Sequence, residues 1–283
     1  MKATQEKNTT ISMKILHFFS SMVKKDAQNP WETRGKASFP EILRRSLSVS
    51  LITALVLAII YWELQRNYSF NWGVIIGYLP DFFRGFIMTL KISIISLIFS
   101  LFLGVIIGIA RVSKRILFSD LSVAYVEGIR NIPLLVIVLL VYFGFGSVFE
   151  ISRLFAGVLA LTVFQSAYIA EIIRAGIQSV GRGQLWAARS LGLSAGMTMQ
   201  YIILPQVLRR IIPALAGQFI YLIQGSSLCS VISLTELTLT ARRILTITYS
   251  SMECYLTLTF FYFVTCALLS FATKLIEKQL MVE

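Results

Sequence analysis

One histidine and three cysteines in 283 residues leave little from which to build a metal centre. His17 lies in a charged N-terminal stretch, where an imidazole is ordinarily a solvated side chain. Cys229, Cys254 and Cys266 have no metal-ligand spacing, and at least two fall in apolar runs, the usual setting of free buried thiols. No metal site is expected. A G-x-x-x-x-G-K-[ST] loop is also missing, since the only Gly-Lys pair, Gly35-Lys36, is followed by Ala37. Without that phosphate cradle the chain is not expected to hold ATP, and no cofactor of its own is assigned to it. H-E-x-x-H, a nucleophile elbow and a carboxylate dyad within an apolar run are absent too, which removes the familiar hydrolytic chemistries. No secretory leader is expected, because ILHFF is too short for an h-region and no small-residue cleavage site follows.

Charge is scarce as well. Only 14% of residues are charged, 56% are hydrophobic, and the mean hydropathy is +0.75. Stretches of about 20 apolar residues suffice to cross a bilayer as helices. The chain therefore reads as an all-α integral membrane protein, with spans at about 47–62, 83–110, 121–146, 153–174, 211–232 and 254–273. Residues 1–46 form a basic arm, and 63–82, with Pro80 and several aromatics, form a linker on the far side. The net charge of +12 suggests nucleic acid in a soluble protein. Here no aromatic-interleaved basic groove accompanies it, and lysine and arginine collect in cytoplasmic loops. Six spans with both termini inside place 19 of the 26 basic residues in the cytoplasm and five outside. That asymmetry puts the polar stretch 175–205 in the cytoplasm and supports an N-in, C-in orientation.

Within that stretch, Gln184–Leu191 reads as a short helix stopped by Gly192, which accepts the left-handed conformation a helix end often needs. Ser194 then caps a second helix, expected to run to Leu204 before Pro205 interrupts it. The spacing resembles the cytoplasmic motif of ABC importer permease subunits, written E-A-A, three residues, G, nine residues, I-x-L-P. Ala187, Ala188, Gly192, Ile202, Leu204 and Pro205 fall in that register, whereas Trp186 stands where the family has glutamate, so that glutamate's contact is not carried over. The flanking AYIAEIIRAGIQSV and LPQVLRRIIPALAGQFIYLI are similar to the polar amino-acid importer subfamily, and the resemblance runs from about residue 68 to the C-terminus.

The resemblance implies a five-helix permease domain over 83–283, with 47–62 as an added helix, in a bacterial plasma (inner) membrane. It implies a dimer of ABC ATPase subunits carrying Mg-ATP, an extracytoplasmic solute-binding protein, a second permease copy or homologue, and a polar amino acid as substrate. Trp186, Ala187, Ala188, Gly192, Leu193, Ile202, Leu204 and Pro205 would then form the ATPase-coupling element, with Leu193 and the Met197–Ile203 face filling a cleft on that partner.

Two charged pairs, Glu127 with Arg130 and Glu171 with Arg174, stand three residues apart within spans and so share helix faces. They either neutralise each other and hold helices together, or form a cytoplasmic gate or a solute contact. Pro133 should bend the helix that follows Arg130. Gly217, Tyr221, Gln224 and Leu228 recur at helical spacing, and Gly225-Ser226-Ser227 interrupts the apolar run. An interruption at mid-membrane depth suits a path lining with Gln224, Ser226 and Ser227, or close helix packing. The G-x-x-x-G at Gly104 and Gly108 is read as packing. Arg242 and Arg243 break the charge asymmetry, which marks either a contact for the binding protein or an interfacial position. The rival function is an ion-gradient-driven secondary transporter, which needs intramembrane carboxylates free of arginine partners. A membrane-embedded enzyme and a non-transporting scaffold for an ATPase are further alternatives.

Overall fold

The computed structural model describes residues 50–55, 58–59, 62–63, 66 and 68–281, and no strand occurs among the described residues. The chain divides into a unit ending at Ser69 and a unit beginning at Phe70. The arm 1–46 and part of the expected 47–62 span lie outside the described residues, and the described residues of that span are helical. In the same unit, the Arg66 guanidinium lies 5.0 Å from the centre of the Trp62 ring.

The second unit opens with α1, Trp72–Arg111, a single helix of 40 residues. It starts ahead of the expected boundary at 83 and carries Pro80 inside it. In the sequence that proline is a linker signal. Within an apolar helix the missing N–H costs one internal bond, and the helix continues on either side. At 1.5 Å per residue α1 is about 60 Å long. The hydrocarbon core of a bilayer measures about 30 Å, so α1 holds more than one crossing's length.

The expected 121–146 span is two helices, α2 (Ile116–Arg130) and α3 (Leu134–Phe149), bent by 101° from each other. Pro133 does more than bend the chain. It lacks a donor and pushes Ile132 out of the helical region, so α2 ends and α3 starts afresh from Pro133 as its cap. Next come α4 (Arg153–Gln178), the short α5 (Arg182–Ser190) and α6 (Ala195–Ile232). The amphipathic α7 (Leu237–Thr248) and the long α8 (Ser251–Met281) complete the unit. Among the described residues, four helices are long and apolar enough to cross a membrane, or five counting α2 with α3 as one broken span.

Helix α4 is the central post. Along α1 the small residues Ser93, Ser96, Ser100, Gly104 and Gly108 are buried at spacings of three and four. A Cβ at Gly104 would stand 2.6 Å from Ile169 Cγ2, and one at Gly108 would stand 2.9 Å from Ile173 Cγ2. Both distances are far inside van der Waals contact, so glycine is what lets α1 and α4 touch. The Ser96 hydroxyl donates across the same seam to the Val158 carbonyl at 3.4 Å. The packing expectation for this G-x-x-x-G agrees with that geometry. Helix α2 joins α4 through Tyr125, whose hydroxyl lies 2.9 Å from the Val163 carbonyl and 2.7 Å from Ser166 Oγ. The outer faces stay apolar and uncovered, with Phe260, Phe263, Leu268 and Phe271 exposed on α8. Such a surface suits lipid rather than water.

Candidate coupling element and translocation face

The coupling candidate begins where α4 ends. Helix α5 closes in a Schellman motif: Leu193 donates to the Ala188 carbonyl at 3.1 Å, and Gly192 takes φ +75°. Ala188 is buried against this turn, while Ala187 faces out. Ser194 adopts extended geometry and accepts from the Met197 N–H at 3.3 Å, capping α6. Helix, left-handed turn and cap therefore fall on the residues the sequence marked.

Pro205 differs from expectation. It does not end the second helix, because a π-turn at Met199–Ile203 precedes it and the chain continues as α6 to Ile232. The wider turn makes room for the proline ring and its missing N–H. Ile202 is half-buried, Ile203 is buried, and Leu204 and Pro205 are exposed. Two side-chain links hold the loop to its neighbours. Gln206 Nε2 donates to Gln184 Oε1 at 2.8 Å, and Arg210 Nη1 donates to the Ser179 carbonyl at 2.6 Å. Beneath them, Ile173, Val180, Ile203, Val207 and Ile211 form one buried apolar cluster. The outward face carries Trp186, Leu191, Met197 and Tyr201, with Leu191 80% exposed. Leu193 is half-buried in the turn, so Leu191, which sequence reasoning passed over, is the protruding side chain.

The ionic pairs are rearranged. Arg174 clamps Glu171 as expected, with Nε 3.0 Å from Oε2 and Nη2 2.5 Å from Oε1. Glu127, however, is exposed and enters no ion pair among the described residues. Arg130 turns instead to Glu171, at 4.0 Å, and lies 5.3 Å from the centre of the Tyr168 ring. A third arginine, Arg111 at the end of α1, brings its Nη1 within 2.9 Å of Glu171 Oε2 as an ion pair, and that nitrogen is buried without a hydrogen-bond partner. Helical spacing alone paired Glu127 with Arg130, but a carboxylate already facing two other guanidiniums draws Arg130 across to α4. Arg111 was placed in a loop as a topology charge, and its role as a tertiary ligand had no local signature.

On α6, Gly217, Tyr221 and Gln224 share an exposed face, with Leu228 half-buried above them. Gln224 Nε2 lies 3.7 Å from Cys266 Sγ on α8. The interruption at 225–227 is a change of winding: the α-helix ends at Ser226 and a 3-10 turn covers Ser227–Ile232. Ser226 is buried and returns its hydroxyl to the Ile223 carbonyl, while Ser227 returns its own to Gln224. A Cβ at Gly225 would come within 3.0 Å of Leu134, so close packing accounts for that glycine. An interhelical pair that sequence reasoning missed, Gln165 with Gln218 at 2.5 Å, ties α4 to α6 nearby.

At the other end of the unit, Arg242 and Arg243 are exposed on α7. Arg243 borders a cleft of about 340 Å³ with Asp81, Arg84, Tyr78 and Thr235. Helix α7 is capped by Glu236, which is fully buried and accepts from the N–H groups of Thr238 and Leu239, each at 2.8 Å. Tyr262 donates to the same carboxylate at 3.3 Å. Burial raises the Glu236 carboxyl above the ordinary value of 4.5, against the pull of those hydrogen bonds. A glutamate is an unusual cap, and sequence reasoning did not mark it.

A post packed through small residues, a broken second helix and a capped helix-turn-helix at one end describe a transport subunit rather than a soluble fold. Residues 100–282 match the model of the family described as binding-protein-dependent transport system inner membrane component, and the chain belongs to that family. Among relatives, it is 38% identical over 211 residues to the probable glutamine ABC transporter permease protein GlnM of Bacillus subtilis (strain 168), covering 74% of this chain and 98% of that protein. It is 37% identical over 206 residues to the glutamate/aspartate import permease protein GltK of Escherichia coli O157:H7, covering 70% and 92%. A solved structure, the crystal structure of an amino acid ABC transporter with histidines, superposes with a TM-score of 0.71 at 38% identity over 75% of this chain and all of that one.

Proposed function

We propose that this chain is the membrane-spanning permease subunit of a binding-protein-dependent ABC importer that carries polar amino acids across a bacterial inner membrane. It works as a pair of permeases, with itself or a homologue, on two ATPase subunits that hold Mg-ATP, and it receives substrate from an extracytoplasmic binding protein. The observation that carries this reading is the helix, Gly192 turn and capped helix presenting Trp186, Leu191, Met197 and Tyr201 beside α4 and α6. An apolar, protruding element at a charge-rich end is what an energy-supplying partner needs to grip. The basic excess at that end favours a cytoplasmic placement and an N-in, C-in orientation. Movement of the ATPases shifts this element, and through α6 the face bearing Tyr221 and Gln224. Exposed Arg242 and Arg243 at the opposite end suit an acidic surface of the binding protein.

Reconstitution with an ATPase subunit and a solute-binding protein from the same organism, followed by labelled amino-acid uptake and ATP hydrolysis, tests the reading. ATP-driven uptake is expected. Gly192→Val forces a β-branched side chain into left-handed geometry at roughly 1–2 kcal/mol and should uncouple hydrolysis from uptake. Leu191→Asp, on a side chain with no packing role, should do the same while thermal stability stays at the wild-type value. Uptake that ignores ATP and follows a proton or sodium gradient would overturn the assignment.

A further inference from the structure

The cleft of about 340 Å³ between α1 and α7 holds a positive charge that nothing in the fold neutralises. Helix α1 brings Asp81 and Arg84 to it, and α7 brings Arg243. Arg84 meets Asp81 only at 3.5 Å, long for a hydrogen bond, and its side chain is 82% exposed. The Arg243 guanidinium has no hydrogen-bond or ion-pair partner among the described residues. Two guanidiniums against one carboxylate leave a surplus of one positive charge, and their forks match the oxygens of a phosphate. Tyr78 and Thr235 add hydroxyl groups to the same wall. The rest of the lining is apolar, with Met88, Ile244 and Ile247, and Ile247 itself stands exposed.

The register of α1 fixes the depth at which this charge lies. From Arg84 to Arg111 the helix advances 27 residues, about 40 Å, and a bilayer with its headgroup layers measures about 40–45 Å. With Arg111 at the loop end, Arg84 reaches the headgroup layer of the opposite leaflet. Lys91, seven residues on and so on the same helix face, lies about 30 Å from Arg111, at the edge of the hydrocarbon. It is exposed among Ile87, Ile94 and Ile98, and it enters no ion pair among the described residues. A lysine in that position runs its stem along the apolar surface and lifts its amine toward the headgroups. Basic groups from two helices thus converge at headgroup depth above an apolar wall.

We infer that this cleft seats an anionic phospholipid of the leaflet opposite the candidate coupling element. Its phosphate lies between Arg84 and Arg243, and an acyl chain follows Met88 and Ile247. A phosphodiester with an uncharged alcohol brings one negative charge, which equals the surplus, whereas a zwitterionic headgroup brings none. Arg242 does not border the cleft, so it keeps the acidic surface of the binding protein as its partner, and that contact narrows to one arginine. The site requires a chain that spans a bilayer, not the importer cycle, so lipid binding and transport can fail separately.

The test uses the purified permease–ATPase complex in neutral detergent, stripped of native lipid. It is titrated with dioctanoyl phosphatidylglycerol, dioctanoyl phosphatidylethanolamine and glycerophosphoglycerol, and bound molecules are counted by native mass spectrometry. The wild type should bind the anionic lipid about ten-fold or more tightly than the zwitterionic one, the size of one charge-assisted contact. R84Q and R243Q should each remove most of that preference while the thermal midpoint of the lipid-free complex stays at the wild-type value. R84K and R243K should keep most of it, because a phosphate also accepts a point charge. K114Q, at an exposed position in the loop after α1, should leave it unchanged. Equal affinity of the wild type for the two lipids overturns the site. So does a preference that falls as far in K114Q as in R84Q, which is the mark of general surface charge. Glycerophosphoglycerol binding as tightly as the lipid makes the cleft a soluble-anion site and overturns it as well. A preference that survives both R84Q and R243Q, while R243Q weakens capture of the binding protein, gives the cleft to that protein instead.

Discussion

Gly176 offers the sharpest check on how the candidate coupling element is seated. It lies in the last turn of α4, where its carbonyl accepts from Ser179 Oγ at 2.6 Å. A Cβ built there would collide with Ile211 Cγ2 on α6, yet would stand 3.8 Å from Ile211 Cβ and 3.4 Å from Val207 Cγ1. One methyl group makes the clash. Ile211 is buried, and its branched Cβ fixes χ1 in a helix, so the methyl cannot swing aside. Gly176→Ala should therefore push α4 and α6 apart and cost about 1–3 kcal/mol. Ile211→Ala removes that methyl, at about 2–5 kcal/mol for the cavity it leaves. Once it is gone, alanine at 176 meets only ordinary contacts, and it regains roughly 1 kcal/mol over glycine in helix propensity. The same substitution should thus destabilise the wild type and be neutral or stabilising in the Ile211→Ala background. The assay is the thermal inactivation midpoint of the purified permease–ATPase complex, run as a double-mutant cycle. Equal destabilisation in both backgrounds would refute the contact and the account of how the loop is anchored.

Two further outcomes follow from two acids, one half-buried and one buried. Glu171→Gln removes the one anion facing Arg111, Arg130 and Arg174, and should lower stability by about 1.5–3 kcal/mol in the same assay, with Arg111→Gln partly compensating. Glu236 titrates above 4.5 in the fold because burial disfavours its charge. The folded state then holds a proton that the unfolded chain releases, so this group's stabilisation is complete below about pH 4.5 and is lost as pH rises through the folded value. Glu236→Gln, which cannot ionise, should flatten that part of the stability-versus-pH curve. A mutant curve parallel to the wild type would show that Glu236 is not its source.

The helix, turn and cap around Gly192 were legible because their signals are local. A left-handed position calls for Gly192, a cap calls for Ser194, and neither depends on the rest of the fold. The small-residue seam of Gly104 and Gly108 was legible for a similar reason, since its spacing lies within one helix. The Glu171 cluster was not, because it joins residues 111, 130 and 171 from three helices, and helical spacing offered the wrong partner in Glu127. Pro205 misled because its local preference to break a helix was met by a π-turn. Pro80 misled similarly, since the apolar setting of α1 keeps the chain helical through a lost bond. At Pro133 the local signal understated the outcome, a break of 101° rather than a bend.

The path from Ala195 to Ile232 stays helical through a π-turn, Pro213 and a 3-10 end, and that has a mechanical consequence. At 1.5 Å per residue those 38 residues form a rod of about 57 Å, stiff on the scale of a membrane's thickness. A proline that cut the rod at 205 would have left a joint, and a push at Ser194 would have dissipated there. The π-turn carries the helix past Pro205, so the loop and Gln224 belong to one continuous helix that meets α4 at the Gly176–Ile211 contact and takes in a second proline, Pro213, just beyond it. That contact lies 17 residues from Ser194 and 13 from Gln224, so the two arms are about 25 and 20 Å long and a movement at the loop reaches Gln224 no larger than it began.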